Sequence, residues 1–294
     1  MMFRYLLALL LFGSNGIVAS RIALSGAEIV LLRAMIGSIL LLGAFLLSGG
    51  RFTCRIRSRS FVFLALSGVS MGAGWVFLYQ AYQLIGVSMA SLTYYCGPVL
   101  VMALSPLLFG EKLTVPKWIG FCTVVCGVFL VNGRAAYSGA SSWGIVCGAL
   151  SAVLYAIMVI CNKKAIAIQG MENAVLQLIF SFITVAVFIG VRQGFCLRIA
   201  AQDVIWILLL GVLNTGIGCY LYFSSIGRLP VQTVAVCGYL EPLCAVVLSA
   251  VILHEQMQVV QICGAAMILG GAVVTELLCA KTPVHAASAQ QKRA

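Results

Sequence analysis

Tyr95-Cys96-Gly97-Pro98 and, 144 residues further on, Tyr239-Leu240-Glu241-Pro242 carry a tyrosine and a proline at matched positions inside long apolar runs. The same shift puts Glu111 on Glu255, Gly120 on Gly264 and Gly127 on Gly271. Nearer the start it puts Gly26 and Glu28 on Gly170 and Glu172. The chain is therefore read as one unit written twice, 1–134 and 139–280, followed by a short tail, 281–294.

Working outward from these marks, apolar runs fall at 3–20, 27–48, 60–83, 88–109, 115–132, 142–161, 172–190, 203–226, 231–253 and 258–279. About 20 mainly apolar residues cross a bilayer core as a helix. Each copy then holds five spans. Because five is odd, the second copy enters the membrane from the side opposite to the first. Inverted repeats of this kind place a site near the midplane and permit two related conformations, open to opposite faces. The expected fold is an all-α, polytopic membrane protein of ten transmembrane helices, arranged as two inverted five-helix repeats.

Composition agrees. Of 294 residues 63% are apolar and only 9% charged, with a mean hydropathy of +1.12. Soluble domains carry about 25% charged residues, and a soluble fold made from this chain would expose large apolar patches. The net charge of +11 does not point to nucleic acid, because the basic residues sit in short gaps between spans. With the N-terminus inside, thirteen Lys and Arg fall on the inner side, including Arg51, Arg55, Arg57 and Arg59, against Arg21, Arg134, Arg192 and Arg198 outside. The positive-inside rule then places both termini in the cytoplasm of a cell whose inner membrane the chain spans many times. Arg4, the apolar run after it and Val18-Ala19-Ser20 resemble a signal peptide, but the repeat supplies a partner for this run, which is kept as a span. Most of the twelve cysteines lie within apolar runs, where Cys behaves as a small apolar side chain. Neither a disulfide framework nor a metal site is expected.

An ionisable side chain deep in a span costs about 2.5–3.5 kcal/mol on insertion scales and needs a reason. Glu241 precedes Pro242, whose ring removes a backbone donor. Its carboxyl either contacts a substrate or proton, or hydrogen-bonds a neighbouring helix. Arg33, a third of the way into the second span, can bind an anion, pair with an acid such as Glu241, or snorkel to the interface. Trp75, Tyr79 and Tyr82 share one helical face, and Asn214, Thr215, Tyr220 and Tyr222 form a looser polar group. Aromatic walls with a few placed polar groups suit small organic ligands. Pro98 and Pro242 are the candidate helix breaks or hinges. Glu111 and Glu255, repeated at helix ends, suit capping or gating better than substrate contact. Gly68-Val69-Ser70-Met71-Gly72 matches a hydrolase pattern, yet it lies within an apolar helix and close helix packing is the better account.

Phe77-Leu78-Tyr79-Gln80-Ala81-Tyr82, Ser88-Met89-Ala90-Ser91-Leu92, Pro98, Gly110-Glu111-Lys112-Leu113 and Trp118-Ile119-Gly120 resemble the EamA domain of the drug/metabolite transporter superfamily. Tyr239-Leu240-Glu241-Pro242, Leu253-His254-Glu255 and Gly264 resemble it again. In Phe12-Gly13-Ser14-Asn15 the chain departs from that pattern, which often has Trp before the Gly. The resemblance implies a central cavity lined by spans 1, 3, 4, 6, 8 and 9, and so by Asn15, Tyr79, Tyr155, Tyr222 and Tyr239, beside Arg33, Trp75, Asn214 and Glu241 read from the residues themselves. It also implies amino acids, metabolites or drug-like molecules as substrates, with export the commoner direction.

The chain is thus expected to be a secondary transporter and not an enzyme, with no catalytic residues and no cofactor. The rival readings are a non-transporting membrane scaffold and, less favoured, an intramembrane enzyme. Its expected partners are the lipid bilayer and a small-molecule substrate, with a coupling proton and a second copy of the chain (a homodimer) as further candidates.

Overall fold

The computed structural model describes all residues except 1, 54–57, 98–99, 102–103, 105–107, 109–114, 138–141, 169, 193, 195–196, 227–239, 256–257 and 281–294. Pro98, Glu111, Tyr239 and the tail 281–294 lie outside the described residues. The described chain is helical. In order come α1 (Met2–Gly13), α2 (Asn15–Ala19), α3 (Gly26–Leu47), α4 (Arg59–Ile85), α5 (Val87–Tyr94), α6 (Val115–Tyr137), α7 (Ser142–Lys164) and α8 (Gly170–Arg192). A widened π-helical segment, Leu209–Ile217, then joins α9 (Val204–Leu208) to α10 (Gly218–Ile226), and α11 (Leu240–Ile252) and α12 (Val259–Ala280) complete the order. Among the described residues, six stretches are long and apolar enough to cross a membrane: Met2–Ala19, Gly26–Leu47, Arg59–Ile85, Ser142–Lys164, Gly170–Arg192 and Ala201–Tyr222. Trp118–Gly127, Leu240–Ile252 and Val259–Gly271 are shorter apolar helices.

Local chemistry explains where these helices begin. Ser25 opens α3 with a capping box: its hydroxyl accepts from Glu28 N, and the Glu28 carboxylate accepts from Ser25 N at 2.8 Å. Two of the free N–H groups of a helix start are satisfied this way. Ser58 caps α4 through Phe61 N. Between α4 and α5 the chain turns at Gly86, whose φ of +82° suits glycine. The Glu255 carboxylate accepts from Val87 N at 2.8 Å and Ser88 N at 3.0 Å, so the end of α11 caps the start of α5.

The burial pattern inverts that of a soluble protein. Large apolar side chains such as Phe3, Ile39, Leu47, Phe129 and Val187 face outward, while Arg33, Ser67, Ser151, Ser181, Asn214 and Thr215 are buried. Where hydrocarbon is the solvent, apolar burial drives little helix association and small residues let helices approach closely. At Gly68 and Gly72 α4 meets α8: a Cβ on Gly72 would stand 2.7 Å from the Ser181 carbonyl oxygen, and one on Gly68 would stand 2.5 Å from Phe180 Cβ. This stretch is a packing seam, as its glycine spacing suggested. A second seam joins α6 to α12, where a Cβ on Gly127 would come within 2.7 Å of the Gly264 oxygen.

Around these seams α4 packs on α7 and α8, α5 on α7 and α11, and α3 on α8 and the π segment. α1 packs on α10 and α11, and α6 on α12. Consequently α1, α3, α4, α5, the π segment and α11 surround the middle of the molecule.

Candidate functional site

Arg33 is the organising residue. It is 3% exposed, so it does not snorkel to the interface; the helices around α3 leave it no path outward. Its Nε donates to Thr215 Oγ1 at 3.0 Å and a terminal nitrogen donates to the Tyr79 hydroxyl. The guanidinium lies over the Trp75 ring, 4.4 Å from its centroid, and 5.2 Å from that of Tyr79. A buried cation held by hydrogen bonds and an aromatic face is stabilised without an adjacent anion. Trp75 and Tyr79 reach it together because they lie one turn apart on α4, and Thr215 Oγ1 also donates to Leu210 O at 2.9 Å within the π segment.

Glu241, in the first turn of α11, lines the same cavity as Arg33. No ion pair joins the two among the described residues. Between them the walls are aromatic and hydroxylic: Phe12, Trp75, Tyr82, Tyr94, Tyr95 and Ser91. The Tyr95 and Ser91 hydroxyls are both buried there with no hydrogen-bond partner among the described residues. Only about 30 Å³ of room remains, the space of about one water molecule. The cavity is thus a narrow space lined by a guanidinium, a carboxyl group and two unsatisfied hydroxyls.

A larger cavity of about 340 Å³ adjoins it, lined among others by Gly16, Ser20, Ile29, Gln83 and Val87. These residues sit where α2 ends, α3 begins, α4 ends and α5 begins, so this is a vestibule at one end of the bundle. Tyr79 and Tyr82 line both spaces. Their rings are 5.2 Å apart and form the wall between vestibule and inner cavity. The Arg33 bond to Tyr79 holds that wall in place.

The first span is irregular beside the cavity. α1 stops at Gly13 and α2 starts at Asn15, while Ser14 N still donates to Leu10 O at 3.1 Å and Ser14 O accepts from Val18 N at 3.0 Å. A Cβ on Gly13 would stand 2.8 Å from the Glu241 carbonyl oxygen and 2.7 Å from Cys244 Cβ, so the missing side chain lets α11 approach. Asn214 pins the irregular stretch from the π segment: Nδ2 reaches Leu11 O at 2.7 Å, Ser14 Oγ at 2.9 Å and Asn15 Oδ1 at 3.1 Å. An amide has two hydrogens for these three acceptors, so one contact is shared. Asn214 therefore positions the cavity wall from behind. π-helical segments are frequent at functional sites, and this one presents Asn214 and Thr215 to neighbouring helices.

Of the residues named from sequence, the structure brings Asn15, Arg33, Trp75, Tyr79 and Glu241 to the cavity. Asn214 stands behind the wall. Tyr155 packs edge-on against Tyr94 at 5.3 Å, and Tyr222 packs against Tyr5 and Phe12 at 5.6 and 5.8 Å; both buttress lining residues. Pro242 is buried at the start of α11. Ser91 and the buttress Tyr5 were missed. Ser91 stands out in the sequence only as a member of the Ser88–Leu92 run, where nothing marks it as a cavity hydroxyl. Tyr5 looks like one more member of an apolar run.

Comparison with known proteins agrees with this architecture. The EamA-like transporter family matches residues 1–133 and 142–277. An uncharacterised transporter of Bacillus subtilis (strain 168), YxxF, is 25% identical over 281 residues, covering 92% of this chain and 88% of that protein. A second from the same organism, YetK, is 26% identical over 274 residues, covering 89% and 81%. A protein of known crystal structure superposes with a TM-score of 0.68 at 19% identity, over 94% of this chain and 98% of its own, which is a likeness of fold. Helices of membrane-spanning length, a polar cavity enclosed among them and a family match along nearly the whole sequence lead to one conclusion: the chain belongs to the EamA-like transporter family and is a multi-pass membrane transporter.

Proposed function

We propose that the chain is a secondary transporter of a small organic molecule bearing both an anionic and a cationic group, an amino acid or a metabolite of similar charge. Transport proceeds across the cell (inner) membrane by alternating access between two inverted five-helix halves, 1–134 and 139–280, with both termini cytoplasmic and export favoured. The observation that carries the substrate reading is the pair of Arg33 and Glu241 on the walls of one cavity, without an ion pair between them. A buried charge is costly unless compensated. A ligand with one charge would meet only one of the two side chains, whereas a dipolar ligand pairs with both. Arg presents a fork suited to a carboxylate, Glu accepts an ammonium, and the tyrosines and Trp75 suit the apolar part.

Alternating access is supported by how the helices pair. Exchange the halves, and α4 on α7 becomes α10 on α1, α4 on α8 becomes the π segment on α3, and α5 on α7 becomes α11 on α1. The pairs α3–α8, α5–α11 and α6–α12 map onto themselves. Gly127 against Gly264 is answered by Gly271, whose Cβ would stand 3.6 Å from the Gly120 oxygen. A bundle with this exchange can adopt a second state in which the halves trade roles. The vestibule opens at the end that the distribution of Lys and Arg places outside.

Reconstitution into liposomes tests the proposal. Uptake and efflux are followed for a panel of amino acids and related metabolites, with and without a pH gradient. Flux is expected for compounds carrying both an amino and a carboxyl group, and to drop for their amine-only and acid-only counterparts. Absence of gradient-sensitive flux for every compound would overturn it.

A further inference from the structure

A second cavity of about 340 Å³ lies on the flank of the bundle, remote in character from the first. α4 packs against both α7 and α8, which diverge and leave a groove over it. The floor is the α4 face carrying Ala73, Val76, Phe77 and Gln80. At 100° per residue this face lies nearly opposite the one that presents Trp75, Tyr79 and Tyr82 to the inner cavity. Trp143 and Phe188 form the sides, and both are exposed on the outer surface.

Two polar groups interrupt this apolar groove. Arg192, in the last turn of α8, lines it. Its guanidinium lies 5.9 Å from the Phe188 ring and has no acidic partner among the described residues. Gln80 makes no hydrogen bond to a described residue, although it lies near the end of a span. Trp143 stands at the start of α7, at the same end of the bundle as Arg192. Tryptophan and arginine at a span's end mark the level of lipid headgroups. From Arg192 down to Thr184 the groove runs along eight residues of α8, about 12 Å. Its lining is therefore polar at headgroup level and apolar below, the profile of a lipid seen lengthwise.

We propose that this groove holds one anionic phospholipid, with its phosphate at Arg192, its ester region beside Gln80 and an acyl chain between Phe77 and Phe188. A void of this size open to the bilayer fills with hydrocarbon, and basic pockets between transmembrane helices select anionic headgroups. Arginine offers a phosphate two parallel donors. The bound lipid rests on α4, whose other face holds the tyrosine wall, so its occupancy bears on the helix that closes the inner cavity.

Native mass spectrometry of the full chain tests this, after delipidation and addition of phosphatidylglycerol or phosphatidylcholine. Wild type is expected to retain one phosphatidylglycerol about fivefold more strongly than phosphatidylcholine, the scale of one arginine near an anionic headgroup. Arg192→Gln should remove that preference, whereas Arg21→Gln, at the same end of the bundle, should keep it. Ala73→Phe, which fills the floor, should reduce retention of both lipids. Equal retention of the two lipids by wild type would show only unselective annular lipid, and an unchanged preference in Arg192→Gln would put the selectivity elsewhere; either result overturns the proposal.

Discussion

The seams and the inner cavity are built on opposite plans. At the α4–α8 seam a glycine faces a backbone carbonyl, with Ser181 O only 2.7 Å from where a Cβ would be. Little there can rearrange, because the closest contacts are to backbone atoms and a Cβ, which no rotamer change moves. In the cavity, by contrast, nearly every contact is a movable side chain: Arg33 on Tyr79 and Thr215, Tyr79 on Tyr82, Tyr95 near Glu241. Small residues fix the helices as bodies, and long polar ones leave the centre able to repack around a ligand. Rigid bodies around a changeable centre are what a transporter needs.

Exchanging the two plans should damage different properties. The largest effect is expected from Arg33→Leu, which removes the charged donor from the cavity. Hydrogen bonds to charged groups are worth about 1.5–3 kcal/mol, so transport should fall roughly ten- to a hundredfold in proteoliposome flux. The melting temperature in detergent should change little, because an apolar side chain replaces a buried cation. Gly72→Leu should do the reverse. Overpacking costs about 1–3 kcal/mol, and here the obstacle is backbone, so the melting temperature and the yield of monodisperse protein should fall before any ligand is added. Should Gly72→Leu melt like wild type, the seam is not the rigid element described.

The remaining effects are smaller. Asn214→Leu keeps the bulk of the side chain but removes the amide that donates to Leu11 O, Ser14 Oγ and Asn15 Oδ1, leaving Leu11 O only the Ser14 donors. About 1 kcal/mol of stability should be lost, with apparent ligand affinity weakened alongside as the irregular stretch in the first span loosens. Tyr79→Phe is the most local change. The ring still stacks and only the bond from Arg33 disappears, a hydrogen bond to a charged group and worth about 1.5 kcal/mol at the low end. Opening of the wall should quicken, read as faster labelling of a cysteine placed at Ala245 in the inner cavity when substrate is present.

Much of the frame was legible in the sequence because it is local. The run 27–48 became α3 at Gly26–Leu47, and 142–161 became α7 at Ser142–Lys164, since hydropathy over a helix length needs no knowledge of neighbours. The spacing of Trp75, Tyr79 and Tyr82 placed them on one face, and Gly68 and Gly72 announced a seam. What escaped depends on distant partners. Glu255 was assigned a helix-end role, but the helix it caps begins 168 residues earlier, at Val87. The irregular turn at Ser14 and the π segment at Leu209–Ile217 are stabilised through Asn214, and neither local stretch reveals the other. Arg33 had three open readings because its fate was decided by Thr215, across 182 residues.

The account rests on two buried charges facing one ligand, and binding to the Glu241→Gln variant tests this most directly. The zwitterion that the flux panel identifies is compared with its N-acetyl derivative and its carboxyl amide, by competition against wild type and Glu241→Gln in lipid nanodiscs. Wild type should prefer the zwitterion to both derivatives by tenfold or more, roughly 1.4 kcal/mol each. Glu241→Gln should lose the preference over the N-acetyl derivative and keep the preference over the amide, which Arg33 enforces. If the variant keeps both preferences in full, Glu241 does not meet the ligand and the two-charge account is wrong.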